Sequence, residues 1–126
     1  MSKKVLYWLP ALSCMLLIFH LSSQPRFTAT GEPIEDFLIF KMLHMIEYGV
    51  LATLIFYALY NTVAQKLTRT IRWSAVLAVL YAVSDELHQV YVPTRSGTIR
   101  DVLIDAVGII LALIIIRRYF AGRKRP

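Results

Sequence analysis

The chain of 126 residues is strongly apolar: 57% of its residues are hydrophobic, 17% are charged, and the mean hydropathy is +0.57. A soluble domain carries about 25% charged residues, so the composition favours a membrane protein. Cys14 is the single cysteine, which excludes a disulfide framework and a thiolate metal site. The net charge of +6 does not indicate nucleic-acid binding, because the basic residues gather at the chain ends and in one short loop.

Four apolar segments follow one another along the chain, at about 5–21, 35–60, 71–90 and 98–119. Each is close to the ~20 residues that a helix needs to cross a bilayer, and lipid offers the backbone no other hydrogen-bond partners. We therefore predict a single domain over residues 1–126: an all-α integral membrane protein, built as a compact four-transmembrane-helix bundle. A cleaved signal peptide is the alternative for the first segment, although no small-residue cleavage pattern follows it.

The basic residues predict how these helices are oriented. If the N-terminus is cytoplasmic, ten of the fourteen basic residues lie on the cytoplasmic side, many of them in the C-terminal tail 117–126. The other four basic residues and all eight acidic residues then lie toward the opposite side. By the positive-inside rule, both termini are expected in the cytoplasm.

Acidic residues interrupt three of the four segments. Glu47 lies in the second segment, Asp85 and Glu86 in the third, and Asp105 in the fourth. Counted from the cytoplasmic ends, the first carboxylate of each segment lies ~18–21 Å into its helix. Charge inside a bilayer is expensive and marks a functional site by default. The pattern predicts an outward-opening polar pocket above an apolar plug.

Further polar residues share faces with these carboxylates. Lys41, His44 and Tyr48 lie on one face of the second segment, and Gln89 lies one turn after Asp85 on the third. Arg95 follows in the next loop. We interpret Lys41 and Arg95 either as snorkelling cations or, for Arg95, as an anion clamp.

The start of the fourth segment suggests two roles for its acidic residues. Thr98 and Asp101 have the spacing of a capping box, so helix capping is one interpretation of Asp101. Asp105 lies one turn deeper, where capping does not explain it. Function, or pairing with Arg95 or Arg100, is the better account. Gly108 continues this stripe and would permit close approach of another helix.

Four motifs in order give the chain its resemblance to a known family. They are His44-Met45-Ile46-Glu47-Tyr48, Ser84-Asp85-Glu86-Leu87-His88-Gln89, Pro93-Thr94-Arg95-Ser96-Gly97 and Asp101-Val102-Leu103-Ile104-Asp105-Ala106-Val107-Gly108. Over about residues 5–118 the chain resembles the VanZ-like family. Thr94 stands where glycine is common in that family.

The resemblance implies a small multi-pass protein of the bacterial cytoplasmic membrane, with a role in the cell envelope. The namesake of the family is associated with low-level resistance to the glycopeptide teicoplanin. The resemblance names no reaction. The residues that it carries over as binding residues are Lys41, His44, Glu47, Tyr48, Asp85, Glu86, Gln89, Arg95, Asp101 and Asp105.

Three functions are compatible with these residues. The first is binding of a lipid head group or a lipid-linked wall precursor in the polar pocket, with membrane lipids as partners and without a cofactor or resident metal. The second is an intramembrane hydrolase or transferase acting on an envelope lipid, with His44, Glu47, Glu86 and Asp105 as candidate acids and bases or as candidate metal ligands. The third is a structural or regulatory protein that contacts another membrane protein or a second copy of itself.

Overall fold

The computed structural model describes residues 3–123, and over that range the chain is helical without any β-strand. The helices are α1 (Lys3–Leu6), α2 (Leu9–Ser22), α3 (Pro33–Thr62), α4 (Leu67–Gln89) and α5 (Ile99–Phe120). The bounds lie within a few residues of the four apolar segments, so the predicted all-α fold class is confirmed. The predicted tail 117–126 extends beyond the described residues.

The first apolar segment differs from the prediction, because it is not one uninterrupted helix. A turn at Tyr7 and Trp8 separates α1 from α2, and the Trp8 N–H donates to the Val5 carbonyl oxygen at 3.0 Å. Pro10 explains the break. It has no N–H to donate, and in a continuous helix its ring would clash with the Leu6 carbonyl group. In the first turn of α2, where the N–H groups lack partners, the same proline is tolerated.

The helices run back and forth between two ends of the molecule. The loops 23–32 and 90–98 meet at one end, here called the polar end, where the Arg26 N–H donates to Thr94 Oγ1 at 2.8 Å. The loop 63–66 lies at the other end, here called the basic end. There the Phe56 and Phe120 rings meet with centroids 5.4 Å apart. Helices α3, α4 and α5 pack against one another, and α2 lies against α3 and α4.

The middle of the molecule and its basic end are filled by apolar side chains. Buried members of this core include Leu51 and Ile55 on α3 and Ile109 and Leu113 on α5. Ser74 is also buried there, but its hydroxyl donates to the Thr70 carbonyl oxygen one turn earlier, so its polar group is satisfied. This part of the structure agrees with the predicted apolar plug.

Helices α3 and α5 approach each other closely at two glycines. A Cβ atom on Gly108 would overlap the Met45 carbonyl oxygen, and a Cβ atom on Gly49 would lie 3.2 Å from the Gly108 carbonyl oxygen. The close approach predicted for Gly108 is therefore present. Two stretches, Lys3–Ser22 and Pro33–Thr62, are long and apolar enough to cross a membrane.

Candidate functional site

The polar end collects acidic side chains from two helices into the interior. Asp85 and Glu86 on α4 and Asp101 and Asp105 on α5 are all buried. Two consecutive helices thus place four carboxylates in the interior of the polar end. The neighbours of each carboxylate, which sequence alone does not give, decide what each can do.

Asp85 links α4 to α2. The Ser22 hydroxyl donates a hydrogen bond to Asp85 Oδ1, and Gln89 Nε2 donates to Oδ2 at 3.0 Å. Both carboxylate oxygens therefore have a partner. Ser22 is the site residue to which sequence reasoning gave no role. It belongs to the Ser-Ser-Gln-Pro stretch 22–25, but a contact between distant helices leaves no periodic signal.

Asp101 links α5 to α3. Its N–H donates to Thr98 Oγ1 at 3.2 Å, which confirms the capping interaction. Its carboxylate lies 2.7 Å from Lys41 Nζ and 3.6 Å from Arg100 Nε. Lys41 thus does not snorkel toward solvent but forms an almost buried ion pair between the two helices.

Asp105 pairs differently from the sequence-based expectation. Its Oδ1 lies 3.8 Å from His44 Nδ1, and neither Arg95 nor Arg100 is its partner. The reason is that Arg100 reaches outward to Asp101 and Arg95 is held by backbone oxygens elsewhere. Asp105 Oδ2 is buried and has no hydrogen-bond partner among residues 3–123.

Tyr48 supports His44 from below. The two rings are stacked with centroids 6.5 Å apart and an interplanar angle of 14°, and Tyr48 is fully buried. Tyr81 lies on the other side of Tyr48, with ring centroids 6.4 Å apart. The imidazole therefore has both the Asp105 carboxylate and the Tyr48 ring as neighbours.

Glu86 takes a different position from the other candidate residues. Its carboxylate accepts the N–H of Thr98 at 3.1 Å and so fastens the loop before α5. Gly97 lies against the backbone carbonyl of Glu86 so tightly that a Cβ atom there would overlap it. Glu86 borders a small apolar recess between α4 and α5, away from His44 and Glu47.

Arg95 fastens the loop after α4 to the end of α2. Its Nε donates to the Gln24 carbonyl oxygen at 2.9 Å, and its Nη2 donates to the Leu21 carbonyl oxygen at 3.0 Å. These carbonyl groups follow the last turn of a helix and lack intrahelical partners, so a cation is a favourable neighbour. Partial burial and the nearby Arg26 lower the pKa of Arg95, but a guanidinium stays charged at any physiological pH.

A cavity of about 400 Å³ opens between α2, α3 and the loops of the polar end. Three of the predicted site residues face it: His44, Glu47 and Arg95. The rest of the wall is largely apolar, and its residues are Ile18, Leu21, Ser22, Gln24, Pro25, Phe27, Phe40 and Leu43. Lys41, Asp85, Asp101 and Asp105 do not line this cavity, and each has a partner of its own. The structure thus divides the predicted residues into a lining and a supporting layer.

The chemistry available in the cavity comes from one carboxylate, one guanidinium and one imidazole. His44 turns its Nδ1 toward Asp105, which leaves Nε2 for a ligand. The three groups can bind charged or hydrogen-bonding groups and can exchange protons. Among residues 3–123, no three His, Cys, Asp or Glu side chains converge in a way that could hold a metal ion.

The fold and the site together define a class: a small all-helical protein with a polar cluster buried at one end and helices long and apolar enough for a membrane. The family model described as VanZ/LLP1 matches residues 5–121, nearly the whole chain, and the protein belongs to this family. The resemblance of the four motifs is thereby confirmed. No curated protein and no solved structure matched the chain.

Proposed function

We propose that the protein crosses the bacterial cytoplasmic membrane several times and binds a lipid head group in the cavity at its polar end. The ligand is a membrane lipid or a lipid-linked precursor of the envelope. All four long helical stretches span the bilayer in this proposal, with both termini in the cytoplasm and the cavity toward the outer surface.

The distribution of polar and apolar side chains on α5 supports the membrane location. Asp101 and Asp105 are 4% and 1% exposed, whereas Ile99 and Leu103 on the same part of the helix are 82% and 61% exposed. A surface helix of a soluble protein exposes its charged residues and buries its aliphatic ones, because exposed apolar surface in water is unfavourable. With lipid around the helices, the outer aliphatic side chains are in a favourable solvent.

The lining of the cavity supports lipid binding and is the observation that carries this proposal. Glu47 and Arg95 stand in a wall that otherwise contains aliphatic and aromatic groups such as Ile18, Leu43 and Phe40. A head group needs polar partners, and the glycerol or prenyl part behind it needs apolar ones. Sites for small molecules commonly combine these features.

The family resemblance supports an envelope role for the same cavity. A protein that holds the head group of a lipid-linked wall precursor would alter how that precursor meets a glycopeptide. In this mechanism the protein would affect teicoplanin resistance through the precursor, and the antibiotic would not need to bind the protein.

The test is native mass spectrometry of the protein released from mild detergent. We expect retained phospholipid or polyprenyl species, and we expect Leu43→Trp to displace them because the indole fills the cavity. The matched control is Leu38→Trp, since Leu38 is exposed on the same helix. Equal lipid retention by both variants would contradict the proposed site, provided that both remain folded.

An intramembrane enzyme is the second candidate function, and the position of His44 favours it. The imidazole has Asp105 behind it and the cavity in front, which is the arrangement of an oriented general acid or base. Asp105→Asn keeps the shape of this pair but removes the carboxylate. Lipid turnover abolished in this variant, with lipid binding retained, would support the enzyme.

A further inference from the structure

We propose that the head group is zwitterionic and carries a primary ammonium beside an anionic group, as phosphoethanolamine does. The ammonium binds Glu47, and the phosphate binds Arg95. This inference rests on the proposed function, since it names the ligand of the same cavity. It also goes further, because lipid binding by itself requires no particular charge pattern.

Glu47 supplies the first half of the argument. Its side chain is half-buried in the cavity wall, and among residues 3–123 it makes no hydrogen bond and no ion pair. The other buried carboxylates of the polar end, those of Asp36, Asp85, Glu86, Asp101 and Asp105, each have a hydrogen-bonding or charged neighbour. A half-buried carboxylate is costly without a partner, so the free one in the cavity is suited to a ligand cation.

Arg95 supplies the second half. Its two hydrogen bonds to the end of α2 use Nε and Nη2, and they leave the N–H groups of Nη1 without a protein partner among the described residues. The bonds also hold the guanidinium plane in place at the edge of the cavity. A fixed guanidinium with free N–H groups is a suitable donor for phosphate oxygens.

Arg95 and Glu47 line the same cavity and interact electrostatically, but they form no ion pair with each other. Their opposite charges, separated by the open space of the cavity, match the internal charge separation of a zwitterion. An anionic head group would meet Arg95 favourably but would be repelled by Glu47. A cationic head group would be attracted by Glu47 but repelled by Arg95.

The type of ammonium follows from the lining as well. A carboxylate accepts hydrogen bonds from a primary ammonium, whereas a quaternary ammonium has none to donate. Quaternary ammonium groups are typically held by cages of aromatic rings, with Trp the strongest partner. The aromatic rings of this lining are those of Phe27 and Phe40, which meet edge to face with centroids 5.3 Å apart, and phenylalanine is a weaker partner for a cation than tryptophan. The site therefore favours ethanolamine-type over choline-type head groups.

The ligand chemistry could reach the site from two sources, a lipid or a soluble molecule. The aliphatic side chains of Ile18, Leu21 and Leu43 line the same cavity as the charged groups. They provide a surface for the glycerol and acyl portion, from which a soluble phosphoethanolamine would gain nothing. The lipid is thus the expected source.

The experiment is a competition for the full-length protein in detergent micelles, read by native mass spectrometry. The probes are phosphatidylethanolamine, phosphatidylcholine and phosphatidylglycerol with identical acyl chains at equal concentration. Soluble phosphoethanolamine is added in a separate arm. The variants are Glu47→Gln, which has the same shape without the charge, and the control Glu35→Gln, because Glu35 is exposed on the same helix outside the cavity.

We expect the wild-type protein and the Glu35→Gln control to prefer phosphatidylethanolamine over both other lipids. In Glu47→Gln the preference over phosphatidylglycerol should fall about tenfold, the effect of one charge-assisted hydrogen bond. Melting temperature should be unchanged, since Glu47 has no protein partner to lose. Competition by soluble phosphoethanolamine as effective as that by the lipid would support the head-group chemistry and assign a soluble source.

Two results would overturn the inference in different ways. Lipid retention without preference among the three head groups, or a preference for phosphatidylcholine, would overturn the zwitterion assignment and leave lipid binding intact. No retained lipid in any arm, with a folded protein, would overturn lipid binding in this cavity as well. The wild-type comparison alone separates these cases, so the test does not depend on the behaviour of the variants.

Discussion

Lys41 and Asp101 form an ion pair of 2.7 Å in a nearly buried position between α3 and α5. The strength of such a pair depends on both partners being present. Removing one of them leaves a buried charge without its nearest partner, which costs about 3 kcal/mol or more. Replacing both with apolar groups of similar size removes the charge together with its desolvation penalty.

We therefore expect Lys41→Met alone to lower the unfolding free energy of the protein by about 3 kcal/mol, and Asp101→Leu alone to do the same. The double variant should recover most of this loss. The measurement is unfolding in detergent, followed by circular dichroism. Additive losses in the double variant would show that the two side chains act independently, contrary to the ion pair.

Thr94 holds a backbone conformation that is unusual for a β-branched residue. Its φ is +66°, in the left-handed region that favours glycine. The Thr94 hydroxyl accepts the Arg26 N–H at 2.8 Å, which ties the two loops of the polar end together. This hydrogen bond offsets part of the strain, which is of order 1 kcal/mol.

At the scale of elements, the contact between α3 and α5 sets the geometry of the site. This contact brings Lys41 to Asp101 and His44 to Asp105, so both links across the polar end depend on how closely the helices approach. The approach is possible because Gly108 has no side chain to meet the Met45 carbonyl group. If an added methyl group pushed α3 and α5 apart, the Lys41–Asp101 and His44–Asp105 distances would both increase.

The two glycines at this contact should respond differently to alanine. For Gly108→Ala we expect a loss of about 1–3 kcal/mol, because the added methyl overlaps backbone that cannot move aside. For Gly49→Ala we expect little net change, since the tight contact at 3.2 Å is balanced by the better helix propensity of alanine. Thermal unfolding of both variants in the same detergent checks this. Equal stability of the two variants would contradict the close packing at Gly108.

Helix α2 has a different part in the architecture. It is joined to the rest of the polar end through Ser22 with Asp85 and through the carbonyl groups that Arg95 holds. The cavity lies beside these links, between α2 and α3. The helix that contacts the bundle least therefore forms one wall of the candidate site, and the links at its end determine the shape of the entrance.

At the scale of the whole molecule, charge divides the two ends. Basic residues such as Lys66, Arg69 and Arg117 lie at one end, while the buried carboxylates and the cavity lie at the other. By the positive-inside rule, this asymmetry is what the proposed topology predicts, with the loop 63–66 in the cytoplasm and the loop 90–98 outside.

Cysteine labelling in intact cells tests this topology. In a Cys14→Ser background we expect a membrane-impermeant maleimide to label Ser96→Cys directly and Ala64→Cys only after the membrane is permeabilised. Both positions are exposed in loops, so access depends on the side of the membrane. Direct labelling of Ala64→Cys with protection of Ser96→Cys would reverse the orientation.

The amino-acid sequence by itself determined the helices and the level of the polar groups. Helix positions follow from runs of apolar residues, and the common height predicted for Glu47, Asp85 and Asp105 follows from the fixed rise per residue of a helix. Pro10 indicates the break in the first segment. The hydropathy pattern alone does not predict this break, because it does not distinguish proline from other residues that fit a helix. The ordered motifs were sufficient to predict the family.

The partners of these groups were decided only by the tertiary structure. Which carboxylate meets Lys41, His44 or a backbone N–H depends on helix rotation and separation, and these arise from packing between residues far apart in sequence. Asp101 pairs with Lys41, Asp105 lies beside His44, and Glu86 accepts a hydrogen bond from the N–H of Thr98. Glu47 faces a cavity. The periodicity of apolar residues does not predict this, because a cavity depends on how several helices pack around it.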